Sequence, residues 1–167
     1  MMGRSLLLLA LSSPFAGWYI ITLWQPSFPE HLYHQTKGTF NCGHRGAGGL
    51  APENTMHAFR AAVKAKAHAV EFDVMMTKDH KLVVFHDSKL EKRLPLKGYI
   101  EKMTLAELQA VDVSPYYKKK HPDTPIPKKF IPSHAPTLEE VFRFYQKHPL
   151  TILNVELKNK NVRDRGM

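Results

Sequence analysis

The feature that most constrains the fold is an alternation of β-prone runs with capped helices between residues 39 and 157. Residues 70–75 alternate between apolar and acidic side chains, which is the period of a β-strand. Three further runs are predicted strands: 39–43, 81–87 and 151–157, the last of them buried. Strands that alternate with helices are typical of parallel βαβ units, so we expect an α/β fold around a parallel sheet.

The helices are predicted from their first residues. Asn54 is the predicted N-cap of the first helix, and T-x-x-E capping boxes at 104–107 and 137–140 predict the starts of two more. The predicted apolar face of the last helix consists of Leu138, Val141, Phe142 and Tyr145. Residues 115–136 contain six of the twelve prolines. Because proline lacks a backbone N–H, we expect a long irregular loop there.

The amino-terminal residues have a different character. Arg4 precedes a stretch from Leu6 to Trp24 that carries no charge and is about as long as a membrane-spanning helix. We predict a hydrophobic anchor helix over 1–25, a linker over 26–37 and one folded domain over 38–167. Two alternatives remain open, a signal peptide cleaved after Ala16 and a buried core helix. With Arg4 in the cytosol, an anchor places the domain on the non-cytosolic side of a membrane, whereas cleavage gives a secreted or periplasmic protein.

The composition limits the partners. The formal net charge is +9, and a basic surface attracts phosphates, nucleic acid or anionic lipid. Basic residues cluster only in the proline-rich region, at 118–120 and 128–129, and no nucleic-acid-binding motif is present. We therefore expect no nucleic-acid partner. The one cysteine, Cys42, excludes an internal disulfide and argues against a cysteine zinc site.

Three acidic side chains lie on predicted strands. Glu71 and Asp73 are two residues apart, so they point to the same face, and Glu156 ends another strand. The carboxyl ends of parallel strands meet at one edge of a sheet, so we expect the three to converge. Converging carboxylates repel one another unless a cation neutralises them, and Ca²⁺ or Mg²⁺ prefers oxygen ligands. The alternative is that Glu71 and Asp73 form the solvated face of an amphipathic strand.

Two of the ten histidines close predicted strands, His44 and His86. Imidazole takes and gives protons near neutral pH, so this pair suits acid–base catalysis. We interpret the other eight as ordinary surface or structural residues. Arg45 follows His44 directly, and a guanidinium beside a base suits a phosphate oxygen. These residues together indicate a site that binds a phosphate next to a group able to transfer protons.

Five blocks of the sequence resemble the glycerophosphodiester phosphodiesterase family in order and spacing. The resemblance extends from about residue 40 to residue 158. The blocks are HRG at 44–46, PENT at 52–55, EFDVMMTKD at 71–79, VVFHD at 83–87 and NVELK at 154–158.

The resemblance implies a metal-dependent phosphodiesterase on a TIM (β/α) barrel of the phospholipase C-like type. It implies that His44 and His86 are the catalytic acid–base pair. It also implies that a Ca²⁺ or Mg²⁺ ion is held by Glu71, Asp73 and Glu156.

The same resemblance implies how the substrate is bound. Arg45 and Lys158 would bind the phosphate, Glu53 would support the site from the start of the first helix, and the glycines of 46–49 would let backbone approach the substrate. The implied reaction converts a glycerophosphodiester and water into an alcohol and glycerol 3-phosphate. Attack by water and attack by a neighbouring glycerol hydroxyl, which would give a cyclic phosphate, both remain open.

The length of the chain predicts an incomplete barrel. Residues 38–167 supply roughly half of the about 250 residues that a complete (β/α)₈ barrel needs, so we expect a truncated product or pairing with another chain. Two rival functions stay open. One is a lysophospholipase D activity on membrane lysophospholipids, which the predicted anchor favours. The other is an inactive fragment that acts at most as a binding module.

Overall fold

We analysed a computed structural model that describes residues 38–123, 127–149 and 151–158. The predicted anchor over 1–25 and the linker over 26–37 lie outside the described residues. Within the described part of the chain, none of the helices has the length and the apolar character needed to cross a membrane.

A four-stranded sheet is built around its longest strand. The strands are β1 (Cys42–Gly43), β2 (Ala69–Met76), β3 (Leu82–Val84) and β4 (Ile152–Leu157). β4 runs parallel to β2 over its full length, with Ala69 opposite Ile152 and Val74 opposite Leu157. β1 pairs parallel to the start of β2. The expected parallel sheet is therefore present in these three strands, and their carboxyl ends lie at one edge.

The third strand departs from the predicted parallel arrangement. β3 pairs with the end of β2 in the antiparallel sense, with Val74 opposite Val84 and Met76 opposite Leu82. Only residues 77–81 connect the two strands, and a parallel crossover needs about a dozen residues or more. The prediction of a parallel third strand was therefore wrong. β2 and β3 form an antiparallel hairpin, in which the end of β2 continues past its parallel pairing with β4.

The described residues form four α-helices and three short 3₁₀ helices around the sheet. The α-helices are α1 (Met56–Lys64), α2 (Leu105–Gln109), α3 (Ser114–Lys120) and α4 (Leu138–Tyr145). The 3₁₀ helices span Leu90–Lys92, Ile100–Lys102 and Lys128–Phe130. Both predicted capping boxes are present, at the starts of α2 and α4. In each, the threonine hydroxyl accepts from the N3 backbone and the glutamate accepts from the cap backbone, which satisfies two free N–H donors.

Three local predictions need correction. The N-cap of α1 is Thr55 rather than Asn54, because Thr55 has the extended backbone of a cap and accepts from the Ala58 N–H. Regular structure begins inside the proline-rich region, where Pro115 lies in the first turn of α3, a position at which a helix N–H has no partner in any case. Phe142 of α4 is 42% exposed, and Phe144 packs on the core instead.

Two apolar clusters make up the core. One lies between β2, α1 and α4 and contains Phe59, Val70, Phe72, Val74, Val84, Val141 and Tyr145. The other lies beyond the hairpin and includes Met75, Val83, Phe85, Leu90, Ile100 and Leu108. Val70, Phe72 and Val74 all face the first cluster, so the alternation of β2 places Glu71 and Asp73 on the opposite side of the sheet.

β4 is less buried than its sequence predicts. Leu153, Val155 and Leu157 pack against the first apolar cluster, but Asn154 and Glu156 are exposed. Among the described residues no strand pairs with the other edge of β4. The β4 side chains that point away from the helices therefore have a neighbouring strand, β2, on one side only.

Candidate active site

Three carboxylates meet where the parallel strands end. Glu71 and Asp73 come from β2, and Glu156 comes from the paired position on β4, directly opposite Asp73 in the register. One oxygen from each of the three lies within 4.8 Å of the other two. We call these three residues the carboxylate cluster. Its convergence follows from the two-residue period of the strands and from the parallel pairing of β2 with β4.

Asp73 is the centre of this cluster and is almost fully buried. Its Oδ2 accepts a hydrogen bond from Asn54 Nδ2 at 2.8 Å and lies 3.4 Å from Arg45 Nε. Its Oδ1 has no hydrogen bond and lies 3.2 Å from Lys158 Nζ. Lys158 also donates to Glu156 at 2.6 Å. Two side-chain cations therefore offset part of the negative charge, and a buried carboxylate oxygen remains without a hydrogen bond.

These residues fit a hard divalent cation. Ca²⁺ binds oxygens at 2.3–2.6 Å, so two oxygens up to about 5 Å apart can share one ion. The oxygens of the carboxylate cluster satisfy that limit. Oδ1 of Asp73 is buried and accepts no hydrogen bond although the Lys158 ammonium lies nearby, so it is the kind of acceptor that a cation would complete. The donor set of three carboxylates is compatible with Ca²⁺ or Mg²⁺ and contains no soft ligand.

The two predicted histidines lie near different members of the carboxylate cluster. His44 directly follows β1, its side chain is 70% exposed, and its Nε2 lies 3.8 Å from Glu71 Oε2. His86 follows β3, and its Nδ1 lies 3.2 Å from Asp87 Oδ2. His86 is close enough to Glu156 for its charge to help lower the pKa of that carboxyl, after the larger effect of the Lys158 hydrogen bond. His44 thus lies beside Glu71 and His86 lies near Glu156, and their acid–base roles stay a prediction.

Arg45 joins the cluster to the start of α1. Its backbone N–H donates to Glu71 Oε2 at 2.9 Å, and its Nη1 donates to Glu53 Oε1 at 2.7 Å. Among the described residues no contact uses Nη2. Arg45 and Lys158 thus lie beside the cluster and are each paired with carboxylates, and their role in phosphate binding stays a prediction.

A second group of charged residues was not predicted from the sequence. The Arg93 guanidinium donates to Glu53 through Nη1 and to Asp87 through Nε. Its Nη2 lies 3.3 Å from His86 Nδ1, and its plane lies over the Tyr116 ring at 4.4 Å. We call Glu53, Asp87 and Arg93 the arginine cluster. Arg93 and Asp87 of this cluster both lie against Nδ1 of His86.

The arginine cluster explains the role of Glu53. Burial acts to raise the pKa of Glu53, but hydrogen bonds from Arg45 and Lys120 and the charge of Arg93 outweigh it, so the pKa lies below its ordinary value. The pKa of Asp87 is lowered in the same way, because the hydrogen bond and charge of Arg93 exceed the opposing effect of burial. Both carboxyls are therefore ionised anchors for cations.

The backbone of the site is held in unusual conformations. Arg45 and Asn54 both have positive φ angles, of 53° and 55°. Residues other than glycine adopt such angles at an energetic cost. Gly46 has a φ of 81°, and a Cβ there would lie 2.7 Å from the Ala58 Cβ. Gly46 therefore permits close packing of the turn on α1, whereas the sequence suggested an approach to the substrate for all glycines of this turn.

Comparison with known proteins supports the resemblance. The sequence profile of the glycerophosphoryl diester phosphodiesterase family matches residues 44–165. The chain is 38% identical over 105 residues to a glycerophosphodiester phosphodiesterase of Bacillus subtilis (strain 168), covering 63% of this chain and 36% of the relative. It is 29% identical over 160 residues to a lysophospholipase D of Rattus norvegicus, covering 91% of this chain and 48% of the relative.

A solved structure gives the same result. A phosphodiesterase of Oleispira antarctica, in complex with the product sn-glycerol-3-phosphate, aligns with a TM-score of 0.61 at 31% identity, covering 76% of this chain and 47% of that one. The described sheet and helices thus correspond to part of a barrel, and the chain spans less than half the length of these relatives. Because the family profile covers most of the sequence, this chain belongs to the glycerophosphoryl diester phosphodiesterase family.

Proposed function

We propose that this chain hydrolyses glycerophosphodiesters to an alcohol and glycerol 3-phosphate in a reaction that depends on Ca²⁺ or Mg²⁺. The observation that carries the proposal is the carboxylate cluster at the strand ends, with His44 3.8 Å from Glu71. The family shown by residues 44–165 supports the substrate class. A cation at the carboxylate cluster would polarise a phosphoryl oxygen and offset its charge.

Arg45 and Lys158 bind the phosphate in this proposal. Arg45 Nη2 makes no contact among the described residues, so it can donate to a phosphoryl oxygen while Nη1 stays bound to Glu53. Lys158 Nζ, which lies 3.2 Å from Asp73 Oδ1, supplies a second charge beside the cluster. Fixed positive groups aimed at the phosphoryl oxygens stabilise the charge that develops there, and such electrostatic effects are usually the largest contribution to catalysis.

The two histidines move the protons. An Nδ1–H that His86 donates to Asp87 leaves Nε2 to exchange a proton with the substrate. His44 is largely exposed and faces Glu71, so its ring is accessible to an alcohol oxygen. One histidine takes the proton of the attacking hydroxyl, and the other gives a proton to the leaving oxygen.

An assay of the full chain with glycerophosphodiesters tests the proposal. We expect release of glycerol 3-phosphate with Ca²⁺ or Mg²⁺, loss of release in EDTA, and recovery when the cation is restored. His44→Ala and His86→Ala should each abolish turnover, whereas His134→Ala, at an exposed histidine that contacts Val111, should not. Turnover that survives both site substitutions contradicts the acid–base roles.

A second candidate is lysophospholipase D activity. It is favoured by the match with the Rattus norvegicus lysophospholipase D, which covers 91% of this chain. Lysophosphatidylcholine turning over faster than glycerophosphocholine in the same assay would support it. A membrane anchor over 1–25 stays a prediction, which fractionation of cells expressing the full chain can test. A folded chain without turnover of either substrate supports the third alternative, an inactive binding module.

A further inference from the structure

A pocket of about 200 Å³ lies beside His44, on the side formed by the end of α3. It is lined by His44, the turn 47–49, Glu53, Lys120 and His121. Drug-sized ligands occupy pockets of about 300–1,000 Å³, so this pocket is suited to a smaller group. Its position next to His44 places it where the alcohol part of a phosphodiester would extend from an oxygen that His44 protonates.

The polar groups of the pocket include donors and an acceptor. Lys120 Nζ is about half exposed and donates to Glu53 Oε2 at 3.0 Å. His121 Nε2 is buried and has no hydrogen-bond partner among the described residues. A buried polar atom without a partner is costly, and a ligand hydroxyl could supply the missing hydrogen bond. The pocket is thus lined by the residues that carry an ammonium, an imidazole and a carboxylate.

The pocket is a formed feature because α3 is fixed to the glycine turn. The Tyr117 hydroxyl lies 3.4 Å from the Gly49 carbonyl oxygen, and the Tyr117 and His121 rings pack with centroids 4.6 Å apart. A Cβ added to Gly49 would meet nothing within 4 Å, so space is open above this part of the turn.

The chemistry of the lining favours one class of headgroup. A quaternary ammonium is recognised by the faces of Trp, Tyr or Phe, and none of these residues is among those that line the described pocket. Lys120 would also repel a cation. A polyol, by contrast, can accept from Lys120 and His121 and donate to Glu53 with the same hydroxyl groups.

We propose that this pocket binds the alcohol part of the diester and selects polyhydroxylated leaving groups over quaternary ammonium ones. The inference rests on the proposed function, since it names the substrate class for that site. It depends on residues 120–121 at the end of α3, and it does not depend on which cation the carboxylate cluster holds.

The test compares glycerophosphoinositol with glycerophosphocholine in the full chain. We expect the wild type to have the higher kcat/KM for glycerophosphoinositol. Lys120→Glu should lower the ratio of the two kcat/KM values about tenfold, which corresponds to about 1.4 kcal/mol. The matched control is Lys119→Glu, which makes the same charge change one residue away at an exposed position outside the pocket. It should leave the ratio unchanged.

His121→Phe separates the hydrogen bond from the packing. Phenylalanine keeps an aromatic ring against Tyr117 but removes Nε2, so turnover of glycerophosphoinositol alone should fall. A wild type that prefers glycerophosphocholine overturns the inference. So does a Lys120→Glu variant that loses turnover of both substrates equally, because that result would mean that the pocket holds the part common to both.

Failure of the proposed function gives a different result. If neither diester is hydrolysed by folded protein, the activity is wrong, and the pocket is then tested by calorimetric titration of the two diesters into the wild type and Lys120→Glu. Tighter binding of glycerophosphoinositol that Lys120→Glu removes supports the pocket without catalysis. Equal affinities for the two diesters overturn it.

Discussion

The two charged regions of the site are built in different ways. The carboxylate cluster lies on regular strands, and its residues are placed by the period of β2 and its register with β4. The arginine cluster lies on segments outside the strands, where Glu53 precedes α1 and Arg93 follows a 3₁₀ helix. The first has three carboxylates offset by Arg45 and Lys158. The second has an arginine that contacts two carboxylates and a histidine.

This difference suggests that the two regions have different roles. The carboxylate cluster brings three carboxylates within 4.8 Å of one another against two side-chain cations, and so can gain from a further cation. In the arginine cluster each carboxylate already has cationic partners, because Lys120 and Arg45 also pair with Glu53 and Lys92 lies 3.5 Å from Asp87. A saturated network of this kind rigidifies its members. We therefore expect the first region to bind and the second to position.

The largest effect is expected from Asp73→Asn. Asp73 contacts Arg45, Asn54 and Lys158, and removing its charge should lower kcat/KM by about 10²–10³-fold, as the loss of one preorganised electrostatic group does. Calorimetry should also show weaker binding of Ca²⁺ or Mg²⁺. Wild-type cation affinity in this variant would contradict the assignment of the carboxylate cluster as a metal site.

The control for Asp73→Asn is Asp112→Asn, because the Asp112 carboxylate has a structural role. Asp112 Oδ1 accepts from the backbone N–H groups of Ser114 and Ser133, which ties the start of α3 to the segment before α4. Its substitution should lower the free energy of unfolding while leaving cation affinity unchanged. The pair thereby separates a loss of cation binding from a general loss of stability.

The next effect in size concerns Arg93. Arg93→Ala should lower kcat about 10–100-fold with little change in KM, the usual cost of losing a residue that orients a functional group. Arg93→Lys should have a kcat between those of Arg93→Ala and the wild type, since an ammonium cannot make the forked contacts of a guanidinium.

Lys92→Ala is the matched control for Arg93. Lys92 is the preceding residue, is 63% exposed and lies 3.5 Å from Asp87, and exposed ion pairs contribute little. Its removal should leave kcat near wild type. If Arg93→Ala changes KM alone, or if it behaves like Lys92→Ala, Arg93 does not position His86.

The sequence predicted the first region well for a physical reason. A strand period and a parallel sheet determine where Glu71, Asp73 and Glu156 point once the strands are recognised. Arg93 has no comparable signal, because its contacts with Glu53 and His86 depend on how loops pack. The sequence identified Asn54 as a residue at the start of α1, but it did not predict the hydrogen bond from Asn54 to Asp73. Either residue of the Asn54-Thr55 pair can cap a helix, and tertiary contact with Asp73 decides that Thr55 does so.

Two errors in the predicted fold had sources in the sequence itself. The connection at 77–81 is too short for a parallel crossover, so the β2–β3 hairpin could have been inferred. Pro115 was taken to disfavour helix, but proline is well accepted in the first turn, and α3 begins at Ser114. The burial of β4 was a different kind of error, because burial depends on which elements cover a strand, and among the described residues β4 pairs with β2 alone.

The smallest expected effect is a change in the stability of the fold at acid pH, and it tests the arginine cluster. The pKa of Glu53 is lowered in the folded chain despite burial, because Arg45, Lys120 and Arg93 favour its ionised form. Such a carboxylate contributes stability fully above its unfolded pKa of about 4.3, and the contribution is lost as pH falls through the lower folded value. Glu53→Gln removes this titration, so it should be less stable than wild type at pH 7 but lose less stability between about pH 5 and pH 3.

Urea unfolding midpoints at pH 7, 5, 4 and 3 measure this difference. The matched control is Glu139→Gln, a glutamate that is 78% exposed and pairs only with Arg143 on α4. Because that pair is screened by water, the control should keep the acid sensitivity of the wild type. If Glu53→Gln loses stability with falling pH as steeply as the wild type does, the ionised Glu53 is not what holds the three cations together. The arginine cluster would then owe its order to the packing of Arg93 on Tyr116, and the Arg93→Lys variant should be more damaging to stability than Glu53→Gln.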